Sequence, residues 1–275
     1  IDEQRNYCSK NCSFHVNIYK MMNYIYMEKK MKQNKYDNER FFKNYASMSR
    51  SQKGLKAAGE WSELEKLLPN FQDKKILDLG CGYGWHCKYA VNHGAKEVVG
   101  IDLSHKMLEV ALDINNDKKI TYQQSAIEDI NFPTDTFDVV FSSLAFHYIS
   151  NFEDLVCKIS KCLKKNGEFI FSVEHPLYTS SGKQDWCYDA EGKILHFPVD
   201  NYYYEGKREV NFLGVPIIKY HRTLTGYINS LLSSGFELTN VIEPKPPIEM
   251  RELEEMKNEM RRPMMLLISA RNKKS

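Results

Sequence analysis

The chain has no apolar run near the length a membrane crossing needs. Its runs are short, residues 264–268 being typical, against about 20 residues for a helical span. No apolar stretch of about 7–15 residues stands near the start, so no secretory signal is read. The seven cysteines are odd in number and form no CxxC pair. Cys8 and Cys12 have no second pair beside them, so no zinc or other metal site is expected. Free thiols fit a reducing, cytoplasmic compartment. Net charge is scarce too, 38 Lys+Arg against 36 Asp+Glu in 275 residues, a balance of +2. That excludes a chain whose main task is to neutralise many phosphates. No internal repeat or low-complexity block occurs.

The little charge there is gathers at one end. Residues 1–35 carry seven Lys/Arg against three acids, a local +4 that leaves the rest at −2. Met27 and Met31 lie just before the first well-patterned helix. These residues read as a basic, poorly ordered leader to a domain at 36–271, whose segment 36–72 is helical.

From Lys74 onward strands and helices alternate. Lys75–Leu79, 97–101, Ile120–Gln124, 137–141 and 169–173 are short, apolar and strand-like. Between them run helical patterns over 86–93 and after the capping residues Ser104 and Asn151. The first of these carries Met107, Leu108, Ala111 and Leu112 on one face. The second carries Phe152, Leu155, Val156, Ile159, Cys162 and Leu163, with Gly167 expected to close it. Such alternation predicts an α/β fold, a parallel sheet covered on both faces. Residues 176–222 interrupt it, rich in tyrosine, with a hairpin expected around Leu213-Gly214-Val215; they read as an inserted cap. A short helix at 225–234, strands at 238–243 and 264–270, and a charged helix at 249–261 complete the pattern.

In open α/β sheets ligands bind beyond the carboxyl ends of the strands. There the sequence places Asp78-Leu-Gly80-Cys81-Gly82-Tyr83-Gly84, where the first strand turns into the first helix. Glycines allow φ > 0 and close approach of a ligand to backbone. A dinucleotide loop would need glycine where Trp85 stands, and Asp78 would repel a pyrophosphate. A carboxylate there suits a ligand carrying a positive amino group. The next strand ends in Asp102, able to accept both hydroxyls of a ribose.

The pattern D-x-G-x-G-x-G after a strand resembles motif I of class I S-adenosyl-L-methionine (SAM)-dependent methyltransferases. The likeness extends over about 36–271, to the UbiE/SmtA-like ("methyltransferase 11" type) small-molecule methyltransferases. Tyr45-x-x-Met48-x-Arg50-Ser51, Gly54-Leu55 and Glu60-Trp61 precede the sheet in the shared pattern. Ser172-Val-Glu174-His175-Pro176, Tyr220-His221-Arg222-Thr223 and Arg262-Pro263-Met264 follow it. The resemblance implies a Rossmann-like seven-stranded sheet of order 3-2-1-4-5-7-6, mostly parallel with the last strand antiparallel, under an N-terminal helical lid. It implies cofactor contacts from Tyr45 and Arg50 of the lid and from Asp78, Gly80, Cys81 and Gly82 of the loop. Asp102, Leu103, Met107, Ser143 and Leu144 complete them. In the family an Asp often stands where Ala126 is; here backbone near Ile127 and Glu128 would serve the adenine.

Methyl transfer from SAM, which leaves S-adenosyl-L-homocysteine (SAH), is an in-line displacement needing mainly orientation and exclusion of water. Where the acceptor arrives protonated, His147, Glu174 and His175 are the candidate proton-handling groups, with His221 and Arg222 from the cap. An O, N or S of a small molecule is the expected acceptor; a non-catalytic SAM-binding sensor or partner subunit is the alternative. A nucleic-acid substrate lacks support, because Ser142-Ser143-Leu144-Ala145 stands where base-amino methyltransferases carry an Asn/Asp-Pro-Pro-aromatic motif. Oligomeric state is not legible.

Overall fold

Lys75–Leu79, with every side chain after the first buried, forms strand β1 at the heart of a seven-stranded sheet in the computed structural model. The structure describes residues 34–254 and 256–274. The basic leader expected at 1–35 lies, apart from its last two residues, outside them. Among the described residues three short helices precede the sheet: α1 (Glu39–Ala46), α2 (Ser49–Lys53) and α3 (Trp61–Leu67). Strand and helix then alternate as β1, α4 (Trp85–Asn92), β2 (Glu97–Asp102), α5 (His105–Ile114), β3 (Ile120–Gln124), β4 (Phe137–Ser143), α6 (Phe152–Cys162) and β5 (Leu163–Glu174). The cap follows as α7 (Pro176–Ser180), β6 (Cys187–Tyr188), β7 (Ile194–His196), β8 (Gly206–Phe212) and β9 (Val215–His221). The chain closes with α8 (Leu224–Ser233), β10 (Phe236–Ile242) and β11 (Met265–Asn272).

The order across the sheet is β3-β2-β1-β4-β5-β11-β10, with β11 antiparallel to both its neighbours and the other pairings parallel. This is the expected 3-2-1-4-5-7-6 arrangement. Period-2 alternation divides the core. Leu77, Leu79, Phe169 and Phe171 face α6 and α8, while Ile76, Val98 and Ile170 face Leu64 and Cys87 of the other layer. Each fully buried Leu or Phe contributes roughly 1.5–3 kcal/mol through removal from water. Chain order runs from β1 outward through β3, then jumps to β4 on the other side of β1. The crevice between the ends of β1 and β4 is therefore the switch point at which ligands bind.

Ser104 and Asn151 cap their helices as expected, accepting from Met107 N and Asp154 N. The cap's larger hairpin turns through Leu213 and Gly214, both at positive φ, the two-residue turn that matches strand twist. Three expectations fail. Gly167 does not end α6, because the chain enters β5 immediately after Cys162 and Gly167 lies within that strand. Leu112 is 51% exposed rather than on the buried face of α5. The charged stretch 249–261 is no continuous helix. Its described residues form only single turns at Ile248–Met250 and Glu259–Arg261 with no buried residue, so no apolar stripe repays helix nucleation.

Candidate active site

Gly80, Gly82 and Gly84 all have positive φ, 79°, 52° and 74°. At Gly80 a Cβ would lie 2.5 Å from Cβ of Ala145, and at Gly84 it would land on the Tyr122 hydroxyl. The backbone can thus pass between β1, β2 and β4 only as glycine. Gly80 N and Cys81 N both donate to Ile101 O, at 2.8 and 2.9 Å. Gly82 N donates to Asp102 Oδ2 and Ser104 N to Asp102 Oδ1, each at 2.9 Å. Burial raises the Asp102 carboxyl, while N–H donors from Ser104, Gly82 and Leu103 pull it back. Asp102 therefore stitches the glycine loop to α5, where Met107 lies beneath Gly82. Ile127 packs beside Gly80, in the turn Ile127–Asp129, and Lys158 Nζ donates to Glu128 O.

Helices α1–α3 and the residues just before them close over this crevice. Asp37 accepts from Ser104 Oγ at 2.5 Å and from Lys106 N at 3.1 Å. The Tyr45 ring meets Tyr83 edge-on at 5.8 Å, and burial raises its hydroxyl. Arg50 pairs with Glu60 at 3.1 Å, and Glu60 also accepts from Ser143 Oγ at 3.3 Å. Leu144 follows at φ 52°, its N–H held by Ser172 O at 2.9 Å and Ser172 Oγ at 3.1 Å.

Asp78 points away from the loop's open side. Its Oδ2 accepts from Cys87 Sγ at 3.2 Å and burial pushes its pKa up to about 7. Cys81 is buried beside them, its thiol pushed up to about 11. His86, the second residue of α4, is driven down to about 3 by burial, with Arg50 adding to the effect.

A second cluster lies at the ends of β4 and β5, under the cap. His147 is 2% exposed, accepts from Glu174 N through Nδ1 at 3.4 Å, and is pushed down to about 4 by burial. The Glu174 carboxylate accepts from Lys219 Nζ at 2.5 Å and from Gln184 Nε2 at 2.8 Å. Lys219 in turn donates to Gln184 Oε1 at 2.9 Å. Burial would raise Glu174, but His147 and Lys219 together hold it below the ordinary carboxylate range. Tyr148 stands beside His147 and accepts from Tyr36 of the lid at 3.3 Å. Neither Lys219 nor Gln184 was anticipated. The signal was present for Lys219, which shares the inward alternation of β9 with Ile217 and His221.

The other expected proton-handling groups are committed elsewhere. Strand alternation turns His175 to the face opposite Glu174. Its Nδ1 accepts from Leu177 N at 3.0 Å to cap α7, and Nε2 lies 2.8 Å from Glu243. His221 has both ring nitrogens engaged, by Thr179 Oγ1 and Tyr202 O, each at 2.8 Å. Arg222 clasps the carbonyls of Phe146, Ile149 and Ser150 in the loop after β4. It is a strut between cap and sheet.

Among the described residues Glu60 Oε2, beside the end of β4, is buried without a hydrogen-bond partner, as are Asp78 Oδ1 and Trp85 Nε1 nearer α4. Leaving such groups unpaired is costly. The Glu60 carboxylate, Arg50, Asp102 and a glycine loop suit a ligand that combines positive charge, a carboxylate and a diol. SAM has that make-up, and the residues fit it.

Comparison with known proteins agrees. Residues 77–171 match the methyltransferase domain family. A Listeria monocytogenes crystal structure assigned as a SAM-dependent methyltransferase is 56% identical. It superimposes with a TM-score of 0.76 over 79% of this chain and 98% of its own. An uncharacterised Haemophilus influenzae protein is 36% identical over 243 residues, 86% of this chain and 96% of that one. A tRNA U34 carboxymethyltransferase of Actinobacillus succinogenes is 33% identical over 118 residues, covering 42% of this chain and 36% of its own. With the glycine loop at the switch point and the sheet order of that fold, the chain belongs to the class I SAM-dependent methyltransferases.

Proposed function

We propose that this methyltransferase carries the methyl group of SAM to an O, N or S of a small molecule seated beneath the cap. The observation that carries this reading is the buried Glu174–Lys219–Gln184–His147 cluster. Residues from β5, the post-β4 turn and the cap converge there beside the cofactor crevice, with Lys219 only 2% exposed. An enclosed polar cluster can orient a compact acceptor and exclude water. Likeness to the tRNA enzyme covers too little of either chain to transfer its substrate. No helix among the described residues is long and apolar enough to cross a membrane. With Cys81, Cys87, Cys157, Cys162 and Cys187 free, we assign the reaction to the cytoplasm.

In this reading Asp102 holds the ribose, Tyr45 and Arg50 close the lid, and Ser143 and Leu144 flank the methionine part. Backbone at Ile127 and Glu128 borders the adenine. The chemistry SAM supplies is an electrophilic methyl on sulfonium; the chain orients the acceptor and keeps water out. His147 donates or accepts hydrogen bonds as neutral imidazole, and Glu174 offers a fixed negative charge. Calorimetric titration with SAM and SAH is the test. Micromolar binding by the wild type and at least tenfold weaker binding by Asp102→Ala are expected; unchanged affinity in the variant would remove Asp102 from the site. Turnover with amines, phenols, thiols or acids separates this enzyme from a sensor that binds SAM without reaction.

A further inference from the structure

We propose that Glu60 is the receptor for the α-ammonium of the cofactor's amino-acid end, and that its ion pair with Arg50 is a preformed mould for that end. The inference rests on the cofactor reading above and deepens it.

Glu60 sits at the start of α3, 1% exposed. Its Oε1 is shared between Arg50 Nη2 at 3.1 Å and Ser143 Oγ at 3.3 Å. Its Oε2 is buried and has no hydrogen-bond partner among the described residues. A buried carboxylate oxygen left unpaired is unfavourable unless something comes to meet it. Ser143 ends β4, and β4 adjoins β1, whose end is the glycine loop. The unpaired oxygen therefore belongs to the switch-point crevice rather than to a remote part of the lid. Arg50 keeps 24% of its side chain exposed, leaving guanidinium edges able to take a carboxylate.

An aliphatic α-amino acid offers an ammonium and a carboxylate on one carbon. A carboxylate and a guanidinium held side by side present the inverse pattern. Glu60 already answers to Arg50 through one oxygen, so the second oxygen is the free half of the mould. Ser143 fixes the carboxylate from below and ties recognition of the amino-acid end to the end of β4. A purely structural role for Glu60, as an anchor for Arg50, would use Oε1 alone and leaves Oε2 without purpose.

Calorimetry with four ligands separates these roles: SAH, its deamino analogue, decarboxylated SAM and 5′-methylthioadenosine, which lacks the amino-acid end. The wild type should bind SAH at least tenfold more tightly than the deamino analogue. Glu60→Gln, which keeps the shape and can still meet Arg50, should lose at least tenfold for SAH and decarboxylated SAM. It should lose less than twofold for 5′-methylthioadenosine. Equal loss for all four ligands, or no loss, overturns the assignment. So does a wild type indifferent to the deamino change, a readout that needs no folded variant. If the wild type binds SAH while Glu60→Gln binds it equally well, this inference fails and the cofactor reading stands. If the wild type binds none of the four, both fall together.

Discussion

Asp78 sets a carboxylate into the apolar space between β1 and α4, with one oxygen on Cys87 and the other unpaired. Burial raises its pKa from 3.8 to about 7. Between those values the folded chain keeps a proton that the unfolded chain has released. The group's contribution to stability is thus complete below about pH 4 and is lost as pH rises through about 7. A shift near three units corresponds to roughly 4 kcal/mol as an upper figure. The advantage of Asp78→Asn over the wild type should therefore be about 2–3 kcal/mol larger at pH 8 than at pH 5, in urea unfolding without cofactor. An equal difference at both pH values would show that Asp78 does not titrate in this way. The importance of Asp78 was legible from its place two residues before Gly80. Its direction was not, because which side of the strand faces the loop depends on how the chain leaves β1. His175 illustrates the same limit. Its place just after β5 is legible, yet alternation turns Glu174 toward Lys219 and Gln184 and sends His175 to a helix cap.

Helix α5 joins the end of β2 to the N-terminal segment. Ser104 caps it through Met107 N at 3.1 Å, and the same hydroxyl donates to Asp37 of the lid segment. Losing a Ser cap costs about 1 kcal/mol. Ser104→Ala should lower unfolding free energy by about that amount, since Asp37 also keeps Lys106 N as a donor. Ser104→Thr, which retains the oxygen, should recover most of it; failure of Thr to rescue would place the loss elsewhere than in the cap. Elements of this kind were legible because local chemistry decides them. Ser104 and Asn151 announce helix starts, and the strands at Lys75–Leu79 and Ile120–Gln124 coincide with the apolar runs that predict them. Gly167 misled because glycine is common past helix ends, whereas here Leu163 passes straight into β5 and pairing with β4 and β11 outweighs the local signal. Residues 249–261 mislead because a charged stretch without an apolar stripe has nothing to hold it helical.

At the scale of the whole molecule, sheet order followed from resemblance, and the cap's attachment followed from nothing visible in sequence. Lys219 and Glu174 are 45 residues apart and meet only because the β8–β9 hairpin folds back over the end of β5. The Lys219 Nζ also lies 5.0 Å over the Phe212 ring of β8, so its ammonium is held between the hairpin and the end of the sheet. Removing one partner of a buried ion pair strands the other charge and typically costs about 3–5 kcal/mol, whereas removing both can be nearly neutral. Lys219→Met should accordingly destabilise the protein by about 3 kcal/mol or more in urea unfolding. The double variant Lys219→Met with Glu174→Gln should recover at least half of that, because Gln184 can still donate to the new amide oxygen. The recovery measures how far the pair, rather than either residue, couples cap to sheet. Additive losses would mean that the two side chains stabilise separate parts of the molecule. If the pair does hold the cap over the acceptor site, the double variant, stable again, should still bind SAH like the wild type. Its turnover should fall, because the negative charge beside His147 is gone.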